Sequence, residues 1–168
     1  KKSIFHKTIF KYILAKADCI LSTSDFMMQE TKKYTNKDIS ITPFGVDIQK
    51  FSKFEVESIF KSEDVVIGIV KSLEDIYGIN YLIEAFSILK QRNLKNLKLL
   101  IIGKGSREHH LKQMVDNLCL SNDVFFKGYV HNEKIPQYYN MMTIAAVPSL
   151  EESYGVSAIE AMACQVPL

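Results

Sequence analysis

Val65-Val66-Ile67-Gly68-Ile69-Val70 and Leu97-Lys98-Leu99-Leu100-Ile101-Ile102 are two almost uninterrupted apolar runs, separated by an amphipathic stretch from Gly78 to Gln91. Short apolar runs of this kind, bounded by turn formers, have the length of a strand, and their lack of polar alternation implies burial on both faces. The same rhythm continues downstream. Ser106–Leu118 predicts a helix, Val124–Phe126 a short strand, Glu133–Asn140 a short helix, Thr143–Val147 a strand and Gly155–Ala163 a helix. Strands alternating with amphipathic helices predict β-α units, hence an α/β fold with a parallel sheet covered by helices on both faces.

Upstream, Phe5, Ile9, Ile13, Leu14 and Ala17 recur at helical spacing with lysines between them. This predicts a helix over Ile4–Ala17, either half-buried in the protein or touching a membrane surface through its basic amphipathic face. Cys19-Ile20-Leu21 reads as a strand, and Ser24 or Asp25 as the cap of a helix running to about Tyr34. Ile39–Thr42 alternates like a strand and is broken by Pro43-Phe44-Gly45. Residues 47–64 are irregular and charged, and read as a linker with a short helix.

The 168 residues are 47% apolar and 24% charged, which fits a globular protein. A net charge of +2 argues against nucleic acid as a partner. Cys19, Cys119 and Cys164 are far apart with no CxxC, and read as small apolar residues in a reducing compartment. The chain opens on Lys1, and Val166-Pro167-Leu168 reads as the start of a further strand that would leave an apolar edge unpaired. Both ends are those expected of a fragment, so the lack of a leader sequence carries no information.

In open parallel sheets ligands bind outside the carboxyl ends of the strands, which singles out four loops. After Val70, Lys71 and Ser72 stand where a phosphate would lie, although a lysine there is equally well a solvated one. Gly103-Lys104-Gly105 reads first as a tight β-α turn, since no GxGxxG or GK[ST] follows. Lys127-Gly128-Tyr129-Val130 either exposes backbone groups to a base or packs its tyrosine. The fourth loop holds Glu152, and Glu160 lies eight positions further on, inside an apolar helix. Between them a glycine precedes a helix start, whose free N–H groups and dipole favour an anion. The bland reading of the glutamates is two ordinary surface carboxylates. Against it, a carboxylate in so apolar a helix needs a partner. Carboxylates beside an anion-binding helix end suit a nucleotide sugar. His109-His110 point in different directions, and no Asp-x-Asp occurs, so no metal or other cofactor is expected.

With these residues in place, the chain resembles a family 4 glycosyltransferase, the large group 1 family with the GT-B fold. The motifs are Pro43-Phe44-Gly45-Val46-Asp47 with Phe51, Gly78–Phe86, Leu100–Gly105, Val124–Val130 and the Glu152/Glu160 segment. The resemblance implies that 45–168 is an incomplete, Rossmann-like C-terminal domain binding a nucleotide sugar. Residues 1–44 would be the end of an N-terminal, acceptor-side domain and the hinge. It implies metal-independent, retaining transfer of a sugar from a UDP- or GDP-sugar to a sugar or lipid-linked acceptor, in polysaccharide or glycolipid synthesis. Glu160 would bind ribose hydroxyls and Glu152, the catalytic candidate, hydroxyls of the donor sugar. Tyr154, Gly155 and Val156 would meet the diphosphate and sugar, and Tyr129 and Val130 the base edge. Two departures stand out. An Arg and a Lys that usually serve the diphosphate are replaced by Ser72 and Tyr77, with Lys71 as the neighbouring cation, and Gln165 stands in place of a usual glycine.

The competing expectations are a non-catalytic nucleotide-sugar-binding module, degenerate at Ser72 and Tyr77, and an unrelated doubly wound domain. The expected location is the cytoplasm, at the inner face of a membrane if the acceptor is lipid-linked.

Overall fold

A computed structural model describes residues 4–92 and 96–168. The chain divides into two compact units, 1–45 and 46–168.

The first unit holds α1 (Ile4–Lys16), β1 (Leu21–Ser22), α2 (Asp25–Lys32) and β2 (Ser40–Ile41). The two strands pair in parallel, Leu21 opposite Ser40. Ser24 caps α2, its Oγ accepting from Met27 N at 3.2 Å. The Lys37 ammonium donates to the carbonyls of Ala15 and Ala17 at 2.7 Å, serving the otherwise orphaned end of α1. Leu14, Ile20 and Ile39 form a small core with Ala17, Met28 and Tyr34 against it. Of the expected apolar face of α1, Leu14 is buried, whereas Phe5 (68% exposed), Ile9 and Ile13 are not. Two two-residue strands and one short helix offer too little surface to cover a longer stripe.

The second unit carries a four-stranded parallel sheet in the order β5-β4-β3-β6. Its strands are β3 (Val65–Val70), β4 (Leu97–Ile102), β5 (Val124–Gly128) and β6 (Ile144–Ala145). Its helices are α3 (Ile79–Gln91), α4 (Glu108–Asn117), α5 (Ile135–Tyr139) and α6 (Val156–Ala163). The central strands match the apolar runs residue for residue, with Val65 opposite Leu97 and Val70 opposite Ile102. Alternation along β4 sends Leu99 and Ile101 to one face and Leu100 and Ile102 to the other. The first pair packs with Ile79, Ile83 and Phe86 of α3 and Leu111 and Val115 of α4. The second packs with Ile135 and Tyr139 of α5 and Ala161 of α6. Full burial on both sides is why these strands read as continuous rather than alternating. The expected doubly covered parallel sheet is therefore present.

Three expectations are corrected. No helix forms over 47–64. Asp47 Oδ1 accepts from Gln49 N (2.9 Å) and Lys50 N (3.2 Å), and Phe51 N reaches Asp47 O at 2.8 Å, so this side chain organises a turn instead. Phe51 and Phe60 pin the segment to the core. The paired part of β6 is only Ile144–Ala145, and Thr143 turns its Oγ1 back to accept from Val66 N at 3.0 Å. The expectation of an apolar, unpaired chain end is corrected only in part: Val166 is buried and Pro167 O accepts from Ala145 N at 2.8 Å, while Leu168 stays exposed. Gln165, in place of the usual glycine, takes the left-handed conformation at φ 58° that a glycine would favour.

Candidate functional site

The carboxyl ends of β3, β4 and β5, together with α6, surround a cleft of about 310 Å³. Val70, Lys71, Ser72, Ile102, Gly103, Lys104, Tyr129, Val130, Asn132, Ile135 and Glu160 line it. Five residues predicted from sequence thus converge here: Lys71, Ser72, Tyr129, Val130 and Glu160. Glu152, Tyr154, Gly155 and Val156 do not line it. Glu152 adjoins it through Lys71, whose ammonium lies 2.5 Å from Glu152 Oε2. A larger hollow of about 670 Å³, lined by Phe54, Phe60, Asp64, Val66 and Asn140 among others, lies at the opposite end of β3.

The loops after β3 and β4 are bound to one another. Leu73 N donates to Lys104 O at 3.0 Å and Arg107 N to Leu73 O at 2.9 Å. The Glu74 carboxylate accepts from Ser106 N (2.8 Å) and Ser106 Oγ (2.5 Å), and these bonds hold its carboxyl below the ordinary value of 4.5. Gly103 makes the approach possible. At φ 140°, a Cβ there would stand 1.8 Å from Lys71 O, inside any allowed contact.

Glu160 is half-buried on α6. The Tyr139 hydroxyl, from a side chain only 1% exposed, lies 3.1 Å from Glu160 Oε2 and 3.0 Å from Ser157 O. Among the described residues nothing hydrogen-bonds Oε1. Burial pushes the Glu160 carboxyl above the ordinary 4.5, against the Tyr139 hydrogen bond and the charges of Lys50 and Lys71. The Tyr139 hydroxyl is pushed up by burial and by Glu160, and the buried Cys164 thiol up to about 11 for the same two reasons. The partner that an apolar-helix carboxylate requires is therefore Tyr139. Sequence reading missed it, because nothing in Tyr138-Tyr139 shows which ring faces a helix 21 residues away.

Glu152 is governed by charge. Burial raises its carboxyl, but the Lys71 ammonium, with Ser149 and Ser153 as further donors, brings it below 4.5. Lys71 also lies 4.8 Å from the centre of the Tyr77 ring. Tyr77 is thus a platform for the one cation that remains on this loop. Gly155 enters α6 at φ 81° without a side-chain cap, so the first-turn N–H groups present partial positive charge. Within that turn Ser157 Oγ is shielded from solvent and has no partner among the described residues. Tyr129 is exposed, its ring edge-on to His131 at 5.2 Å.

The family model for glycosyl transferases group 1 matches residues 50–168. The chain belongs to that family. It is 28% identical to mannosylfructose-phosphate synthase of Agrobacterium fabrum, over 99% of this chain and 40% of that protein. The chain thus spans about two fifths of that relative's length. Its fold superposes on sucrose-phosphate synthase from Thermosynechococcus elongatus at a TM-score of 0.81, with 22% identity, over 99% of this chain and 44% of the other. It superposes on HepE from Anabaena, solved in complex with UDP and glucose, at 0.80 and 22%, over 98% and 49%. These likenesses carry the GT-B fold, as the motifs led one to expect. Among the described residues no group of three His, Cys, Asp or Glu side chains is placed to hold a metal ion, and no helix is long and apolar enough to cross a membrane.

Proposed function

We propose that this chain supplies the donor site of a glycosyltransferase that moves a sugar from a nucleotide diphosphate donor, with retention of configuration. The observation that carries the reading is Glu160. It is a half-buried carboxylate that lines a cleft at the carboxyl end of a parallel sheet, with one oxygen held by a neutral donor. Such an acceptor suits a pair of ribose hydroxyls. The α6 start and Lys71 then stand ready for the diphosphate, and Glu152 for hydroxyls of the sugar. In this reading leaving-group charge is offset by backbone dipoles and lysine, without a metal ion. HepE, a structural neighbour, was solved with UDP and glucose, which supports a nucleotide donor. UDP- and GDP-sugars are the proposed donors. The acceptor is a sugar or lipid-linked sugar in polysaccharide or glycolipid synthesis, and a lipid-linked acceptor would place the protein at the inner face of a membrane.

A second reading, binding without turnover, is favoured by one observation. Ser72 and Tyr77 lack the usual charges and Lys71 is already engaged by Glu152. The test is thermal denaturation of the intact protein with UDP, GDP, ADP and NAD in the absence of metal, beside Glu160→Ala. A nucleotide at a hundred times its Kd adds about 2.7 kcal/mol. Stabilisation by a nucleoside diphosphate that vanishes in the variant supports the donor site. Sugar transfer or donor hydrolysis then separates an enzyme from a binding module. A response to NAD alone, or to nothing, removes both readings.

A further inference from the structure

Segment 50–54 runs beside α5 and meets it at several points. The Lys50 ammonium donates to Asn132 Oδ1, just ahead of the helix. The Phe51 ring, 4% exposed, stands edge-on to the Tyr139 ring, with centres 6.3 Å apart. Asn140, which closes α5, takes the residues that follow. Its Nδ2 donates to Ser52 O at 2.9 Å, and its Oδ1 accepts from Phe54 N at 3.1 Å. Nδ2 also donates to Pro136 O at 2.9 Å. Both amide hydrogens and the oxygen are thus in use. The orientation is fixed as well, since a flipped amide would set NH₂ against the Phe54 N–H and oxygen against two carbonyls. The clamp joins the residue after Phe51 to the residue after Tyr139, and the ring contact lies directly beside it. Asn140 lines the hollow at the opposite end of β3, not the donor cleft.

We propose that Asn140 is a positioning residue for the donor site: it clamps segment 52–54 to the end of α5, so that Phe51 braces the Tyr139 ring and the phenol stays on Glu160. The inference rests on the donor-site reading above and deepens it, since neither Asn140 nor Phe51 lines the cleft. The Tyr139 hydroxyl has one hydrogen and two acceptors, Ser157 O at 3.0 Å and Glu160 Oε2 at 3.1 Å. A small tilt of the ring gives that hydrogen wholly to Ser157 and strips Glu160 of its donor. A site side chain keeps its geometry only when the groups behind it are themselves locked, and the clamp supplies that lock. Without the phenol, Glu160 keeps its proton to higher pH and offers ribose hydroxyls a weaker acceptor. The other groups acting on Glu160 are Lys50 from segment 50–54, Lys71 from the loop after β3 and Cys164 from its own helix end.

The experiment is titration calorimetry of the intact protein with UDP and GDP over a pH series from acid to neutral. It is repeated on Asn140→Leu, Phe51→Leu, Tyr139→Phe and the double variant Tyr139→Phe/Asn140→Leu, with melting temperatures to check folding. Asn140→Leu keeps the size of the side chain and removes its hydrogen bonds. Its nucleotide affinity is expected to fall about three- to tenfold. The acid-side loss of affinity, which marks protonation of Glu160, is expected to move to higher pH, as in Tyr139→Phe. The diphosphate's own titration is common to every variant, so the displacement from the native curve is the readout. Phe51→Leu should displace it in the same direction. In the double variant the two losses should fall short of multiplying, because Asn140 acts through the hydroxyl already removed. Native affinity and an unmoved acid limb in Asn140→Leu, or losses that multiply in the double variant, overturn the inference and leave the donor site standing. Should Asn140→Leu not fold, Phe51→Leu decides, and an unmoved limb there overturns the inference. Failure of the native protein to bind either nucleotide overturns it together with the donor site.

Discussion

Glu152 and Glu160 are the same residue type eight positions apart, and their surroundings push them in opposite directions. Glu152 meets a cation and is held charged. Glu160 is half-buried, which favours its proton, and the neutral Tyr139 hydroxyl offsets that only in part. A ligand arriving at the first must compete with an ion pair; at the second it adds to a hydrogen bond. The carboxylate facing the cleft is thus poised to accept from hydroxyls. The one beside it is tethered to the charge that a diphosphate would seek.

The hardest blow to this contrast is removal of the cation. Lys71→Met should weaken UDP or GDP binding by about ten- to a hundredfold, the range of a charge-assisted hydrogen bond. Calorimetry showing unchanged affinity would mean that Lys71 serves only Glu152. Next is Tyr139→Phe, which strips the neutral donor from Glu160. Nucleotide binding should fall about tenfold and the fold should lose about 1–3 kcal/mol, for a half-buried carboxylate left without its partner. Denaturant unfolding beside the titration separates the two effects.

A milder probe is pH. Glu160 has a raised folded-state pKa, so its native state holds a proton more firmly than the unfolded chain. Its contribution to stability is greatest at acid pH and declines as pH rises above 4.5. Glu152, held low, contributes above 4.5 and loses that contribution as pH falls through its folded value. Melting temperature against pH should therefore lose its acid-side fall in part with Glu152→Gln, and its decline above 4.5 in part with Glu160→Gln. Curves shifted identically by both variants would contradict the opposed environments. The smallest expected effect is a control at the far end of α6. Gln165→Gly relieves a left-handed non-glycine residue and should change stability by less than about 1 kcal/mol, in the stabilising direction, with nucleotide affinity untouched.

What was legible in the chain divides along physical lines. β3 and β4 could be placed to the residue because burial on both faces writes itself as an unbroken apolar run. Glu160 stood out because charge in an apolar helix is locally anomalous. The turn at Asp47 was misread, since a side chain bonding two and three residues ahead leaves the same polar composition as a short helix. The pairs Tyr139–Glu160 and Lys71–Glu152 were not legible at all. They join residues 21 and 81 apart, and only the packed sheet brings them together. Lys104 was read first as part of a turn, because its relation to Gly128 arises from the pairing of β4 with β5.

The seam between the loops after β3 and β4 has a consequence for the thermodynamics of recognition. Gly103 lets one backbone settle on the other, and hydrogen bonds through Leu73 and Arg107 fasten them. Lys71 and Lys104 are then mounted on one stiff support instead of two independent loops. A ligand touching both has less disorder to remove than one that must gather separate segments, so the conformational entropy is lost during folding and not at binding. Rigid mounting also makes the site depend on its backbone seam: a side chain at 103 would collide with the Lys71 carbonyl, part the two lysines and loosen the grip of both.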